Sequence, residues 1–198
     1  MSTKLPTFDY YHNPTADTLN VLLPGFNTPI DTDFMQRLIK RSIAAGRSHV
    51  AMNFPFQDRK AKESSGDKLK EEQETLKEVL EFVHADDYKT IQLIAKSLGG
   101  VVASFYLKNE KKDPKKYKIT ILGYIVGSVD LKTFQGSIRI IQGDLDPYGN
   151  IDKVGADFIT PATRDINLIK VANADHSFRN VVTQNPEYVD EALNNVAF

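Results

Sequence analysis

The segment AKSLGG, residues 95–100, places a serine between a buried apolar run and a helical pattern. Small residues stand two positions before and two positions after Ser97. In a sharp turn from a strand into a helix, this small-x-Ser-x-small pattern exposes the hydroxyl above the sheet, and the small residues let the turn be tight. Ser97 is therefore a candidate nucleophile. The alternative is a serine that only caps the following helix, since serine is a favoured N-cap residue.

A serine nucleophile needs a base, and the base needs an acid that orients it. In this arrangement the chain order is serine, acid, histidine. Of the four histidines, only His176 follows Ser97, and it stands just after the last predicted strand. The preceding loop, GDLDP, supplies two acids. We favour Asp146, because it lies further out in the loop and Pro147 stiffens its turn. Asp144 is the fallback.

The negative oxygen of a tetrahedral intermediate needs hydrogen-bond donors. We expect one from the N–H of Leu98, directly after the serine, and one from the N–H of Phe26, in the loop after the first strand. Gly25 lets the backbone approach closely. Taken alone, Pro24-Gly25 predicts a simple turn, but the ordered serine, acid and histidine favour the donor role. The expected pocket walls are Phe26, Asn27, Phe54, Phe56, Lys96, Tyr124 and Tyr148.

The remaining polar residues predict no second kind of site. Lys96 would favour an anionic substrate if it faced the pocket, but a lysine here often points into solvent. We interpret Asp175 as a loop-forming residue, and His12, His49 and His84 as structural or solvated. Because the histidines are scattered, we expect no metal. Because GxGxxG and Walker sequences are absent, we expect no dinucleotide or other cofactor.

Composition narrows the class of protein. A chain of 198 residues suits one domain, 1–198. It has no cysteine, and 25 Lys and Arg balance 26 Asp and Glu. This balance favours neither nucleic acid nor an anionic membrane as a partner. No apolar run reaches the length of a signal peptide or membrane span. We therefore expect a cytoplasmic protein; its oligomeric state is not predicted.

Short apolar runs alternate with helical patterns along the chain. This alternation predicts a three-layer α/β/α sandwich with a mostly parallel sheet of about six strands. The expected strands are 18–23, 49–54 with a stop at Pro55, 88–95, 117–127, 137–144 and 165–172. The expected helices are 33–45, 68–84, 98–110, 151–159 and 186–198. In such a sheet, ligands bind at the carboxyl ends of the strands, where the candidate residues lie.

The segments LLPGF, NFPF, AKSLGG, QGDLDP and DHSF together resemble the α/β-hydrolase superfamily. Within it, the chain is most similar to small, lidless hydrolases related to dienelactone hydrolase. The resemblance covers Thr18 to the C-terminus and implies Ser97 as nucleophile, Asp146 as acid, His176 as base, and Phe26 and Leu98 as oxyanion donors. Dienelactone hydrolases use a cysteine nucleophile, which this chain lacks.

Three departures from the family pattern matter. Pro24 replaces a histidine that normally orders the oxyanion loop. The family's first hairpin is reduced to TFDYYHN or missing, and the region that carries a lid in larger members is only residues 123–137. Without a lid we expect a shallow, open site, which argues against a lipase and for a small or surface-presented ester.

The sequence thus predicts a serine hydrolase of the esterase and thioesterase class (EC 3.1), acting on a small-molecule ester or thioester through an acyl-enzyme. A peptidase is less favoured, because an amine leaving group is harder to expel. The alternative function is a non-catalytic binding or scaffold protein that kept the fold. Pro24 is the feature that favours this alternative, and reaction of Ser97 with a phosphonate separates the two.

Overall fold

The computed structural model describes residues 5–198. The strands are β1 (Phe8–Tyr11), β2 (Thr18–Leu23), β3 (Ser48–Met52), β4 (Thr90–Lys96), β5 (Tyr117–Leu122), β6 (Ser137–Gly143) and β7 (Ile166–Val171). They form one sheet in the order β1-β3-β2-β4-β5-β6-β7. Strand β1 pairs antiparallel with β3, and the other neighbouring strands pair in parallel.

The helices are α1 (Asp33–Ala44), α2 (Pro55–Asp58), α3 (Lys70–Phe82), α4 (Leu98–Asn109), α5 (Ile151–Asp157) and α6 (Val189–Asn194). Residues of α1 and α6 pack against one face of the sheet. Residues of α3, α4 and α5 pack against the other face. The expected three-layer α/β/α architecture is therefore confirmed.

Strand β4 shows why the central strands read as continuous apolar runs. Side chains alternate between the two faces of a strand. Leu93 and Ala95 pack into the core beneath α3 and α4, whereas Ile94 packs into the core beneath α1 and α6. Because helices cover both faces, both sets of side chains must be apolar.

The structure differs from the sequence expectations mainly at the ends of elements. The reduced hairpin is the single edge strand β1, which is the seventh strand of the sheet. Strand β3 ends at Met52, and the short helix α2 follows where we expected a strand end and a loop. Strand β5 ends at Leu122, and the last helix spans Val189–Asn194 rather than 186–198.

The connection between β5 and β6 holds neither helix nor strand, consistent with a fold without a lid domain. Within residues 5–198, no helix is long and apolar enough to cross a membrane.

Candidate active site

The loops after β4, β6 and β7 meet at the carboxyl edge of the sheet. These three strands run in parallel, so the residues that follow them lie at one edge. Ser97 follows β4, Asp146 follows β6, and His176 follows β7. The topology thus brings together three residues that are far apart in the sequence.

Ser97 occupies a strained turn between β4 and α4. Its φ of 49° and ψ of −112° are unusual for a residue with a side chain. A Cβ on Gly99 would lie 2.7 Å from the carbonyl oxygen of Pro24 and 2.8 Å from that of Leu23. Glycine is therefore required at position 99, two residues after the serine, because α4 starts against the end of β2.

A chain of hydrogen bonds joins the three side chains. His176 Nε2 lies 2.7 Å from Ser97 Oγ, and His176 Nδ1 lies 2.7 Å from Asp146 Oδ2. With the proton on Nδ1, the imidazole donates to the carboxylate and accepts the hydroxyl proton of Ser97. In this arrangement His176 can take that proton as a general base.

Asp146 is held in place by more than His176. Its side chain is fully buried. Its Oδ2 accepts a hydrogen bond from Gln142 Nε2 at 2.9 Å, and its Oδ1 accepts one from the Tyr148 N–H at 2.8 Å. Gln142 was not predicted from the sequence, because a polar residue near a strand end carries no distinctive motif.

The other two acids near the site have different partners. The Asp144 carboxylate lies 3.9 Å from Lys170 Nζ and makes no hydrogen bond to His176 within residues 5–198. Asp175 Oδ1 accepts the N–H groups of Ser177 and Arg179, both at 2.8 Å, and so shapes the histidine loop. The geometry favours Asp146 over the fallback Asp144.

The loop after β2 holds Phe26 beside the start of α4. In the part of the chain that the structure describes, the N–H groups of Phe26 and Leu98 donate to no protein acceptor. Free N–H groups of this kind can receive an anionic oxygen.

This loop is braced without the usual histidine. Gln57, on α2, donates its Nε2 to the carbonyls of Gly25 at 2.9 Å and Phe26 at 3.2 Å. Thr28 Oγ1 accepts the Gly25 N–H at 2.7 Å. We did not identify Gln57 or Thr28 from the sequence, since α2 was not predicted. These hydrogen bonds hold the loop although proline, not histidine, stands at position 24.

Lys96 lies neither at the pocket wall, where we placed it, nor in solvent, the alternative position. The residue is 3% exposed, and its Nζ donates to the carbonyl oxygen of His176 at 2.7 Å. The amine also lies 5.4 Å from the centre of the Phe178 ring. Burial lowers the pKa of Lys96 to about 8, with Asp146 and Asp175 partly opposing the shift. Lys96 therefore supports the histidine loop from below and is not a pocket wall.

Three other expected pocket walls are also buried in the core. Phe54 is 0% exposed, and Tyr124 is 1% exposed with its hydroxyl donating to Asp157. Neither side chain can contact a substrate, so these assignments are corrected. Phe56 is likewise buried. Asn27 and Tyr148 are exposed, and the Tyr148 ring packs edge-on against His176 at 4.6 Å.

A cleft of about 650 Å³ opens beside Phe26 and Leu98. We call it the α4 cleft. Its apolar wall is formed by α4 and its neighbours, and its rim by the loop before α3. It is lined by Phe26, Lys62, Glu63, Ser64, Gly66, Asp67, Leu69, Leu98, Val101, Phe105, Ile125, Gly127 and Ser128. No group of three or more histidines or acids within residues 5–198 could hold a metal ion.

Comparison with family models identifies the chain. The model described as alpha/beta hydrolase domain matches residues 17–197. The chain belongs to the alpha/beta hydrolase family. Comparison with curated protein sequences gave no match.

Solved structures of alpha/beta hydrolase proteins share the fold at low identity. A protein of unknown function from Agrobacterium tumefaciens has a TM-score of 0.76 at 16% identity, over 94% of this chain and 86% of that one. A serine hydrolase homologue from Coxiella burnetii has a TM-score of 0.71 at 16% identity, over 100% of both chains. A serine hydrolase without lid from Xanthomonas campestris has a TM-score of 0.68 at 16% identity, over 94% and 86%. Family and fold together support a hydrolase.

Proposed function

We propose that this alpha/beta hydrolase is a serine hydrolase that cleaves a carboxylic ester or thioester. The observation that carries the proposal is the continuous hydrogen-bonded chain from Ser97 through His176 to Asp146, with 2.7 Å at each step. A helix cap would not require a serine in a strained turn that also bonds a histidine oriented by a buried acid.

In the first half of the reaction, Ser97 Oγ attacks the carbonyl carbon while its proton passes to His176 Nε2. The carbonyl oxygen becomes negative and accepts hydrogen bonds from the Phe26 and Leu98 N–H groups. Asp146 stabilises the imidazolium and keeps Nδ1 protonated. As the bond to the leaving group breaks, His176 returns the proton to the departing oxygen or sulfur, and an acyl-enzyme remains.

In the second half, a water replaces the leaving group. His176 takes one proton from this water, and the resulting hydroxide attacks the acyl carbon. The tetrahedral intermediate uses the same donors and collapses when His176 returns the proton to Ser97 Oγ. The products are a carboxylic acid and an alcohol or thiol, so the atoms balance without any cofactor.

The first experiment is labelling of the purified protein with a fluorophosphonate, beside Ser97→Ala and His176→Ala. We expect strong labelling of the wild type, none of Ser97→Ala, and a reduction of more than about 100-fold in rate for His176→Ala. The rate of ester hydrolysis should fall in the same two variants.

Ser137→Ala is the matched control, because this half-buried serine is the first residue of β6, at the end of the strand away from the site, and does not line the α4 cleft. Its labelling should equal that of the wild type. A folded wild type that does not react would overturn the proposal and favour the non-catalytic alternative.

A further inference from the structure

The α4 cleft has an apolar wall and a polar rim. Leu69 and Val101 are buried there, and Leu98, Phe105 and Ile125 are half-buried. The rim carries Lys62, Glu63 and Asp67, which differ in sign. Because the rim charges are mixed, they create no uniform field that would attract an ionised group. The cleft therefore suits a neutral, apolar chain.

The chemistry of the proposed reaction decides which half of an ester enters this cleft. His176 must return a proton to the leaving group, so the leaving group lies on the side of Ser97 that faces His176. Residues 144–148 and 173–180, which surround His176, contribute none of the side chains that line the α4 cleft in the described chain.

The cleft lies instead on the side of the oxyanion donors. Phe26 and Leu98 line it and also carry the two free N–H groups. With the negative oxygen directed at these groups and the leaving group directed at His176, the acyl substituent is the part of the ester left to enter the cleft, whose lining begins at Leu98, the residue after Ser97.

The length of the apolar wall sets the length of that substituent. Leu98, Val101 and Phe105 succeed one another along one side of α4. Phe105 lies seven positions after Leu98, so the wall extends for about 10 Å along the helix axis. We propose that the α4 cleft binds a linear, neutral acyl chain of medium length, longer than an acetyl group. This inference rests on the proposed function.

The sharpest test uses isomeric esters. Ethyl hexanoate and hexyl acetate have the same atoms and differ in whether the long chain is on the acyl or the alcohol side. Each fully buried methylene is worth about fourfold in binding. We therefore expect kcat/KM for ethyl hexanoate to exceed that for hexyl acetate by at least about tenfold. Equal values, or a preference for hexyl acetate, would overturn the proposal.

Substitutions in the cleft test its location. Val101→Phe fills the middle of the wall and should lower the ratio of kcat/KM for hexanoyl over acetyl esters by about tenfold. Should Val101→Phe not fold, Phe105→Ser serves instead, because it places a hydroxyl at the far end and should also lower the ratio. Ile43→Phe is the matched control, since Ile43 is exposed on α1 at the opposite face, and it should leave the ratio unchanged. An unchanged ratio in a folded cleft variant would contradict the assignment.

Phosphonate probes separate failure of this inference from failure of the proposed function. We compare two fluorophosphonates that carry either a methyl or a hexyl group on the phosphorus, in the position of the acyl substituent. Both have the same reactive P–F bond. Faster reaction of Ser97 with the hexyl probe supports the acyl cleft. Equal rates would overturn the cleft and leave the serine hydrolase standing. Reaction with neither probe would overturn the proposed function and the cleft together.

Discussion

The amine of Lys96 is buried beside the proposed base without an ion-pair partner. Within residues 5–198, no carboxylate lies within ion-pair distance of its Nζ, which donates to the His176 carbonyl instead. A buried, unpaired ammonium costs stability, and apolar replacements of buried charges often stabilise a protein. We therefore expect this charge to contribute to activity, through the hydrogen bond that positions the histidine loop.

We predict that Lys96→Met is more stable than the wild type at pH 7, by on the order of 1 kcal/mol, and less active. The folded-state pKa of Lys96, about 8, lies below its ordinary value of 10.5. The cost of the charge is thus fully present below pH 8 and disappears as the pH rises to 10.5. The gain in stability should shrink across that window, as measured by chemical denaturation.

The activity of this variant tests whether Lys96 is a positioning residue. Without the hydrogen bond to the His176 carbonyl, kcat should fall at least about tenfold with little change in KM, because the loss is in orientation of the base. Lys170→Met, on β7, is the control, since Lys170 is half-exposed. Its stability and its kcat should both stay near those of the wild type. A parallel loss of stability and activity in Lys96→Met would mean that Lys96 only packs the core.

The role of Lys96 was not accessible from the sequence, whereas those proposed for Ser97 and His176 were. A serine in a tight turn and a histidine in a late loop are specified by chain order alone. A lysine side chain is long and flexible, so its sequence position does not decide whether the amine reaches solvent or bends beneath the loop.

At the scale of elements, α2 is a short helix with a large effect on the site. It has four residues, begins at Pro55, and carries Gln57. Gln57 Oε1 accepts the Phe54 N–H at 2.8 Å while Nε2 reaches the carbonyls of the oxyanion loop. One side chain therefore connects the end of β3 to the loop after β2.

We predict that Gln57→Glu lowers kcat/KM about tenfold. Glutamate has the same shape but cannot donate, so the Gly25 and Phe26 carbonyls lose their partner and the Phe26 N–H moves. Removal of a whole oxyanion donor costs about 10²–10³-fold, and displacement of one should cost less. The rate of fluorophosphonate labelling should fall by a similar factor.

Gln73→Glu, on α3, is a close control. Gln73 also donates Nε2 to a carbonyl, that of Lys68, and accepts at Oε1 from Asn109, away from the site. It should leave the labelling rate unchanged. A folded Gln57→Glu protein with the labelling rate of the wild type would show that the loop orders itself.

The central elements were predictable and their ends were not. Strand β4 and the start of α4 follow from a continuous apolar run and the break at Ser97. By contrast, Phe54 and Phe56 follow β3 and extend its apolar pattern. Nothing local in the sequence shows that the strand stops at Met52. The proline that we took as the end of a strand is the first residue of α2, where its fixed φ is favourable.

At the scale of the whole molecule, strand β1 closes one edge of the sheet over a buried histidine. Tyr11 pairs with His49 across β1 and β3, and its ring stacks on the imidazole at 5.9 Å. His49 Nε2 lies 3.4 Å from Asp9 Oδ1, yet neither ring nitrogen makes a hydrogen bond to any part of the chain that the structure describes. This pairing could not be predicted, because β1 is largely exposed and lacks the apolar pattern of a buried strand.

We predict that His49 makes the whole fold sensitive to acid. Burial lowers its pKa below the ordinary 6.5, although Asp9 opposes the shift. Below pH 6.5 the unfolded chain therefore binds a proton that the folded chain resists, so stability falls as the pH drops from 7 to 5. In urea titrations, the free energy of unfolding of His49→Leu should depend less on pH than that of the wild type. His84→Asn is the control, because His84 is exposed at a helix end, and its free energy of unfolding should follow the wild type. Parallel curves for His49→Leu and the wild type would contradict this, because the acid loss would then come from other groups.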